Sequence, residues 1–215
     1  MKVIPKNSIV TRYPILKLDV TLMHMPEPVF RKLLVRTGTS LRELHHIIQA
    51  VMRWDNAHLY EFTRRVGDGV IRYCDTAMWE GDVPLENDDM LYFVEDLFKS
   101  VGDGLTYVYD LGDHWEHRIV LENIFLDPFI FPVLPAVAEG SGVCPPEDCG
   151  GVQGYIEMRK TLAGKKGKKY MELKGWLDAK GWGDRGFNID MCSWELNNMK
   201  HDMTDFYFND DIIDE

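Results

Sequence analysis

Hydrophobic and polar positions alternate with period two over Pro14 to Met25, break at Met25-Pro26-Glu27-Pro28 and resume over Val29 to Arg36, which predicts a hairpin of two strands. The period then changes. Leu41, Leu44, Ile48, Val51 and Met52 fall on one stripe of a helix running to about Arg53, a face suited to packing on a sheet. Ser40-Leu41-Arg42-Glu43 marks its start as a capping box: the serine oxygen accepts an orphan backbone N–H and Glu43 reaches back to the serine N–H. His45 and His46 flank the stripe and read as surface or edge histidines. Short strands follow at His58 to Phe62 and Val70 to Cys74 around Gly67-Asp68-Gly69, so the chain opens in a β-β-α-β-β order like that of β-grasp domains.

After an acidic connection from Asp82 to Asp89, Leu91 to Lys99 reads as a short helix and Tyr107 to Glu122 as a further hairpin. Alternation puts Trp115, His117, Ile119 and Leu121 on one face of its second strand and Glu116, Arg118 and Glu122 on the other. His117 therefore points inward, where an imidazole needs a hydrogen-bond partner; Asp110 and Asp113, held by the Leu111-Gly112 turn, are nearest in sequence. Phe125 to Val137 carries Pro128, Pro132 and Pro135 and suits an extended edge segment. In Cys144-Pro145-Pro146-Glu147-Asp148-Cys149-Gly150-Gly151, Asp148 is placed to N-cap a helix from about Gly150 to Leu162, and the paired glycines allow another backbone close to the helix start. A glycine-rich helix start can bind an anion, but Glu147 and Asp148 already supply negative charge there, so a phosphate would need a metal with it. Helices around Tyr170 to Lys180 and near Ser193 to Lys200 complete an α+β reading: a β-grasp-like start, a mixed or antiparallel sheet packed by helices, and a helical C-terminal part. With no internal repeat or linker, residues 1–200 read as one domain and 201–215 as an acidic tail.

Composition narrows the class. In 215 residues, 45% hydrophobic with six tryptophans, there is enough apolar side chain for a full core. The longest apolar runs fall short of a membrane span, and Pro5, Asn7, Arg12 and Lys17 interrupt the N-terminus where a secretory signal needs an unbroken apolar stretch. The first residues thus read as folded or strand-like, and the expected location is cytoplasmic, with no membrane partner. Net charge is −11, six of the acids lying in the last fifteen residues. Arg159 to Lys174 has the opposite bias, seven basic residues against Glu172, and reads as a solvated loop between helices; overall acidity argues against nucleic acid as a partner.

The chemistry-bearing residues gather in two places. Asp110, Asp113 and His117 form a candidate catalytic cluster, and Trp115, Glu147, Asp148, Gly150 and Gly151 a candidate binding surface. Cys144 and Cys149, spaced C-x4-C, lie outside the C-x2-C of redox motifs; with His117 they are the candidate metal ligands, and a divalent metal is the cofactor they allow. The two loops, Asp110 to His114 and Cys144 to Gly151, are expected to meet in space, with His117 bonded to Asp110, Asp113 or Asp148.

Trp54-Asp55-Asn56-Ala57-His58-Leu59, the run from Tyr107 to His117, and Cys144-Pro145-Pro146-Glu147-Asp148-Cys149-Gly150-Gly151-Val152-Gln153-Gly154-Tyr155 together resemble the plasmid pRiA Orf-three-like family, named for an open reading frame of the root-inducing plasmid. The resemblance spans roughly Tyr13 to Asn197. It implies an α+β fold, a prokaryotic source and no established activity, and it brings a label as passenger protein of mobile elements. Its motif residues correspond to Trp54, His58, Tyr109, Asp110, Gly112, Asp113, Trp115, His117, Cys144, Glu147, Asp148, Gly150, Gly151 and Tyr155. Where many relatives carry a second histidine or similar polar residue this chain has Tyr60, which weakens any metal scheme built on the His58 strand. Three functions follow as expectations: a binding or interaction module with a polar Asp/His/Trp groove for a protein or small ligand, a metal-assisted hydrolase using Asp110, Asp113 and His117, or a mobile-element accessory protein touching DNA.

Overall fold

A computed structural model describes residues 14–79, 84–126, 133–183 and 186–208, with side chains as far as Met199 in the last helix. Expectations that fall on the N-terminal stretch, on part of the acidic connection, on Pro128 and Pro132 and on the end of the acidic tail lie outside these residues. Seven strands form one antiparallel sheet among them: β1 (Ile15–Leu22), β2 (Val29–Arg36), β3 (Tyr60–Val66), β4 (Gly69–Tyr73), β5 (Gly104–Tyr109), β6 (Trp115–Phe125) and β7 (Ala136–Ser141). Their spatial order is β4-β3-β5-β6-β1-β2-β7. The β-β-α-β-β order is present, but the two opening hairpins do not pair with each other, because the β5–β6 hairpin stands between them. β7 is the edge strand that the proline-rich stretch leads into.

Period-two patterning explains why one face is wet and the other dry. On the outer face Lys17, Lys32, Glu122 and Glu139 form a ladder across β1, β2, β6 and β7, with Nζ–Oε distances of 2.6 Å for Lys32–Glu122 and 2.9 Å for Lys17–Glu139. On the inner face Leu18, Val20, Leu33, Val35, Ile119 and Leu121 are buried in one core with Leu44, Ile48, Val51 and Met52 of α1 (Leu41–Met52). The capping box of α1 is formed as expected: Glu43 N–H donates to Ser40 Oγ at 3.1 Å and Ser40 N–H to Glu43 Oε2 at 2.8 Å.

The buried stripe of α1 is wider than its apolar residues. Positions 41, 44, 45, 48, 49 and 52 follow one helical face, so His45 and Gln49 go inward with the leucines and isoleucine. The reading of His45 as a surface histidine is thereby corrected. Its Nδ1 meets Tyr107 Oη at 2.7 Å, its Nε2 meets Asn56 Oδ1 at 2.6 Å, and its ring stacks on Tyr60 with centroids 3.5 Å apart. Burial, followed by the neighbouring His46, holds its pKa well below the ordinary range. Tyr60 donates to Asp89 at 2.5 Å, and Asp89 in turn accepts from Arg42 at 2.8 Å.

The expected Leu91 to Lys99 helix is only α2 (Val94–Leu97), because Phe93 is extended and bridges to Ser40. α3 (Gly151–Ala163) packs on α4 (Lys168–Ala179), and α5 (Ile189–Phe208) lies against α1 and β7, passing the expected tail boundary at residue 201. No helix among the described residues is long and apolar enough to cross a membrane.

Candidate functional site

The two chemistry-rich loops meet at one end of the sheet, where β3 begins, β5 turns into β6, and the Cys144–Gly151 loop leads into α3. Glycine makes the approach possible. A Cβ on Gly151, whose φ is +64°, would lie 2.4 Å from Asp113 O, and Gly150 N–H donates to Asp113 Oδ2 at 3.1 Å. The paired glycines thus admit a second backbone, and the negative group at the start of α3 is Asp113. Asp148 does not cap that helix as expected, because Gly150 itself takes the N-cap position in the left-handed region with no side-chain cap.

Buried polar contacts tie the loops to the sheet. Tyr109 donates a short hydrogen bond to Glu147 and accepts from Ala57 N–H at 3.0 Å. Glu147 also accepts from Asp55 N–H at 2.9 Å, and Trp54 Nε1–H donates to Pro145 O at 3.0 Å. Burial, followed by the bond to Glu147, raises the Tyr109 pKa, so the phenol keeps its proton. Glu147, expected on a binding surface, is instead a buried latch.

Where this junction opens toward solvent, three segments each bring a side chain of a kind able to ligate a metal, with Asp110 buried beneath the other two. His58 Nε2 lies 3.2 Å from Asp148 Oδ1 and 3.6 Å from Asp110 Oδ2, and one ligand atom from each residue lies within 4.8 Å of the others. Asp110 is held by its own turn, its Oδ1 accepting from Gly112 N–H at 2.9 Å and Asp113 N–H at 3.2 Å. Lys180 of the α4–α5 connection bonds Asp148 Oδ2 at 2.6 Å, and this bond is the largest cause of the lowered Asp148 pKa. Asn56, Asp110, His114 and Asp148 all have φ between 53° and 62°, a region that non-glycine residues seldom enter, and such strain gathers at functional sites. Beside the junction, Asp148, Cys149, Met158, Lys169, Leu173 and Trp176 line a groove of about 370 Å³ between α3 and α4.

Several expected members stand elsewhere. Trp115 and His117 lie on the inner face, both fully buried, so neither reaches the groove. The register pairs Trp115 with Tyr109 and His117 with Tyr107, two residues further from the turn, and the His117 ring sits between Trp54 and Tyr107 at centroid distances of 5.4 and 5.2 Å. The expected bond to Asp110, Asp113 or Asp148 is absent: among the described residues neither His117 ring nitrogen nor Trp115 Nε1 has a hydrogen-bond partner. Burial lowers the His117 pKa to about 4; the carbonyls of Tyr107 and Trp115 pull the other way without closing a hydrogen bond. The Asp110–Asp113–His117 cluster therefore separates, with the aspartates at the turn and the histidine in the core.

Cys144 and Cys149 face opposite sides of their loop, toward a cavity beside Arg31 and toward the α3–α4 groove. Burial pushes both thiols up to about 12, so they stay protonated, and neither joins a ligating group with His117. His58 takes the place that His117 and the cysteines were expected to fill. Its signal was local: it extends the inward parity of Tyr60 and Phe62 one step beyond the start of β3, where the strand end opens to the loops.

The plasmid pRiA4b ORF-3-like protein family model matches residues 14–195. An uncharacterized protein of Sinorhizobium fredii is 33% identical over 186 residues, covering 86% of this chain and 92% of its own length. A crystal structure of a protein of unknown function from Methanosarcina mazei is similar at TM-score 0.68 and 26% identity, over 84% of this chain and 98% of that one.

Proposed function

The chain belongs to the plasmid pRiA4b ORF-3-like family, and from that premise and the junction geometry we propose that it is a binding module whose centre is a divalent-cation site formed by His58, Asp110 and Asp148. The spacing of the ligand atoms carries the reading. Ligands about 2.1 Å from a tetrahedral ion stand about 3.4 Å from one another, and the two contacts of His58 Nε2, 3.2 and 3.6 Å, bracket that value. An imidazole between two carboxylates also suits a divalent ion by charge. The groove lined by Trp176 and Lys169 opens beside Asp148 and gives a small ligand or peptide a place to contact the ion. Nucleic acid is not the partner in this reading, because the chain carries −11 and its basic island is confined to α3, α4 and their connection.

Metal-assisted hydrolysis is the second reading, favoured by the ligand count. Three protein ligands leave a coordination position for water, the arrangement that separates catalytic from structural zinc sites. Calorimetric titration of Zn²⁺ or Mn²⁺ into tag-free, chelator-treated protein tests the shared premise. One ion per chain is expected, lost in His58→Ala while circular dichroism shows the fold retained. Absence of binding, or binding indifferent to His58→Ala, rejects the site.

A further inference from the structure

A second cavity of about 450 Å³ lies under the Cys144–Glu147 loop, and its wall contains a cation on the core side of the sheet. Arg31 alternates with Val29, Leu33 and Val35 along β2 and is only 4% exposed. Its Nε–H donates to Val51 O at 3.1 Å, and its Nη1 to Phe30 O at 2.8 Å and Ser141 O at 2.7 Å. Nη2 has a long contact, to Gly142 O at 3.5 Å, and the guanidinium also stands within reach of the Cys192 thiol. All these acceptors are neutral: four carbonyls and a protonated thiol. Among the described residues no carboxylate pairs with Arg31, whereas Arg53 and Lys180 on the same wall pair with Glu195 and Asp148. Glu147 is committed to Tyr109 and Asp55 N–H. Cys144 and Cys192, also on this wall, supply no negative charge, since burial raises both thiols.

Stabilisation of the C-terminal end of α1 accounts for part of this arrangement, because Val51 O is one of the orphan carbonyls of the last turn. It does not account for the Nη2 end, and a buried charge satisfied only by neutral groups is costly. The remaining contact is built with care: Phe187 lies over the guanidinium at 4.9 Å, and only a glycine at position 140 admits the ring, since a Cβ there would stand 2.5 Å from it. The cavity volume falls within the roughly 300–1,000 Å³ of small-molecule sites.

We infer that this cavity is a second binding site, which takes a small molecule through a carboxylate or phosphate group seated on the Arg31 guanidinium. The oxyanion supplies the missing countercharge and accepts from Nη2, while Cys144, Trp182 and Phe187 cover the rest of the ligand. The inference does not depend on a cation at His58, Asp110 and Asp148.

Titrations in excess EDTA keep the two sites apart. Inorganic phosphate and acetate, each against chloride at matched ionic strength, are followed by calorimetry and by the arginine Nε–Hε resonances. Saturable binding is expected for at least one of them, weakened roughly tenfold or more in Arg31→Gln, with the largest resonance shift at Arg31; which anion binds distinguishes the phosphate from the carboxylate source. Binding equalled by chloride, retained in Arg31→Gln, or shifting other arginines and leaving Arg31 unmoved overturns the proposal. Should Arg31→Gln fail to fold, the wild-type resonance titration decides alone.

Discussion

His58 and His117 both lie close to the Trp54–Tyr109 aromatic pair, yet their surroundings are opposite. His117 is fully buried in the wall of β6, edge-on to Trp54, with both ring nitrogens unpartnered among the described residues. His58 is 31% exposed at the head of β3 and stands between two carboxylates. A strand interior surrounded by α1 and neighbouring strands offers packing and little else. A strand end, reached by three loops, can gather unlike side chains around one point and leave it open to solvent.

The largest effect separating the two regions is expected from truncation. Trp115→Ala should cost about 3–5 kcal/mol in denaturant melts, because it empties a fully buried indole site in the wall. His58→Ala should cost far less, since Asp148 is exposed to water and the buried Asp110 keeps its bonds to Gly112 and Asp113 N–H. Equal losses would erase the distinction between wall and junction.

A second test uses pH. His117 has a folded pKa of about 4 against an ordinary 6.5. The unfolded chain therefore takes up the proton first as pH falls, so this stability is fully present above about 6.5 and lost progressively toward pH 4, up to about 3 kcal/mol. His117→Leu should flatten the acid limb of stability against pH, with His45 and His46, shifted the same way by burial, and the carboxylates held below their ordinary range supplying the slope that remains. An unchanged acid limb in His117→Leu would mean that the wall admits the charged ring.

The smallest effect belongs to the junction. Lys180→Met removes the chief cause of the lowered Asp148 pKa, so the carboxyl should titrate closer to its ordinary range by NMR. Global stability should change by less than about 1 kcal/mol, as for other exposed pairs. A larger loss would make the junction as structural as the wall.

The wall was legible because alternation is local. Trp115, His117, Ile119 and Leu121 are buried as their parity requires, and Ser40 and Glu43 cap α1 as their spacing requires. The α+β class followed from the same periodicities, whereas the choice between a mixed and an antiparallel sheet came only with the strand order. Partnerships were harder to read. Asp113 and Asp148 could each have served the start of α3, and only the three-dimensional approach of the β5–β6 turn assigns Asp113 to Gly150 and frees Asp148 for His58 and Lys180. Arg31 and His45 interrupt apolar stripes, and whether such a residue turns outward or finds buried acceptors depends on carbonyls and hydroxyls far away in sequence. Tyr60, whose presence argues against a metal scheme on the His58 strand, stacks on His45 and binds Asp89, away from the cluster.

The contacts that hold the junction together join residues far apart along the chain: 91 positions separate Trp54 from Pro145, 92 separate Asp55 from Glu147, and 38 separate Tyr109 from Glu147. Closing loops of that length costs entropy that is repaid only once the intervening sheet exists to hold both ends. The hairpins and α1 can assemble from near neighbours, whereas the latch onto Glu147 has nothing to fasten to until β3, β5 and β6 are side by side. The clustering of His58, Asp110 and Asp148 therefore depends on a sheet already formed, and marks the completed fold.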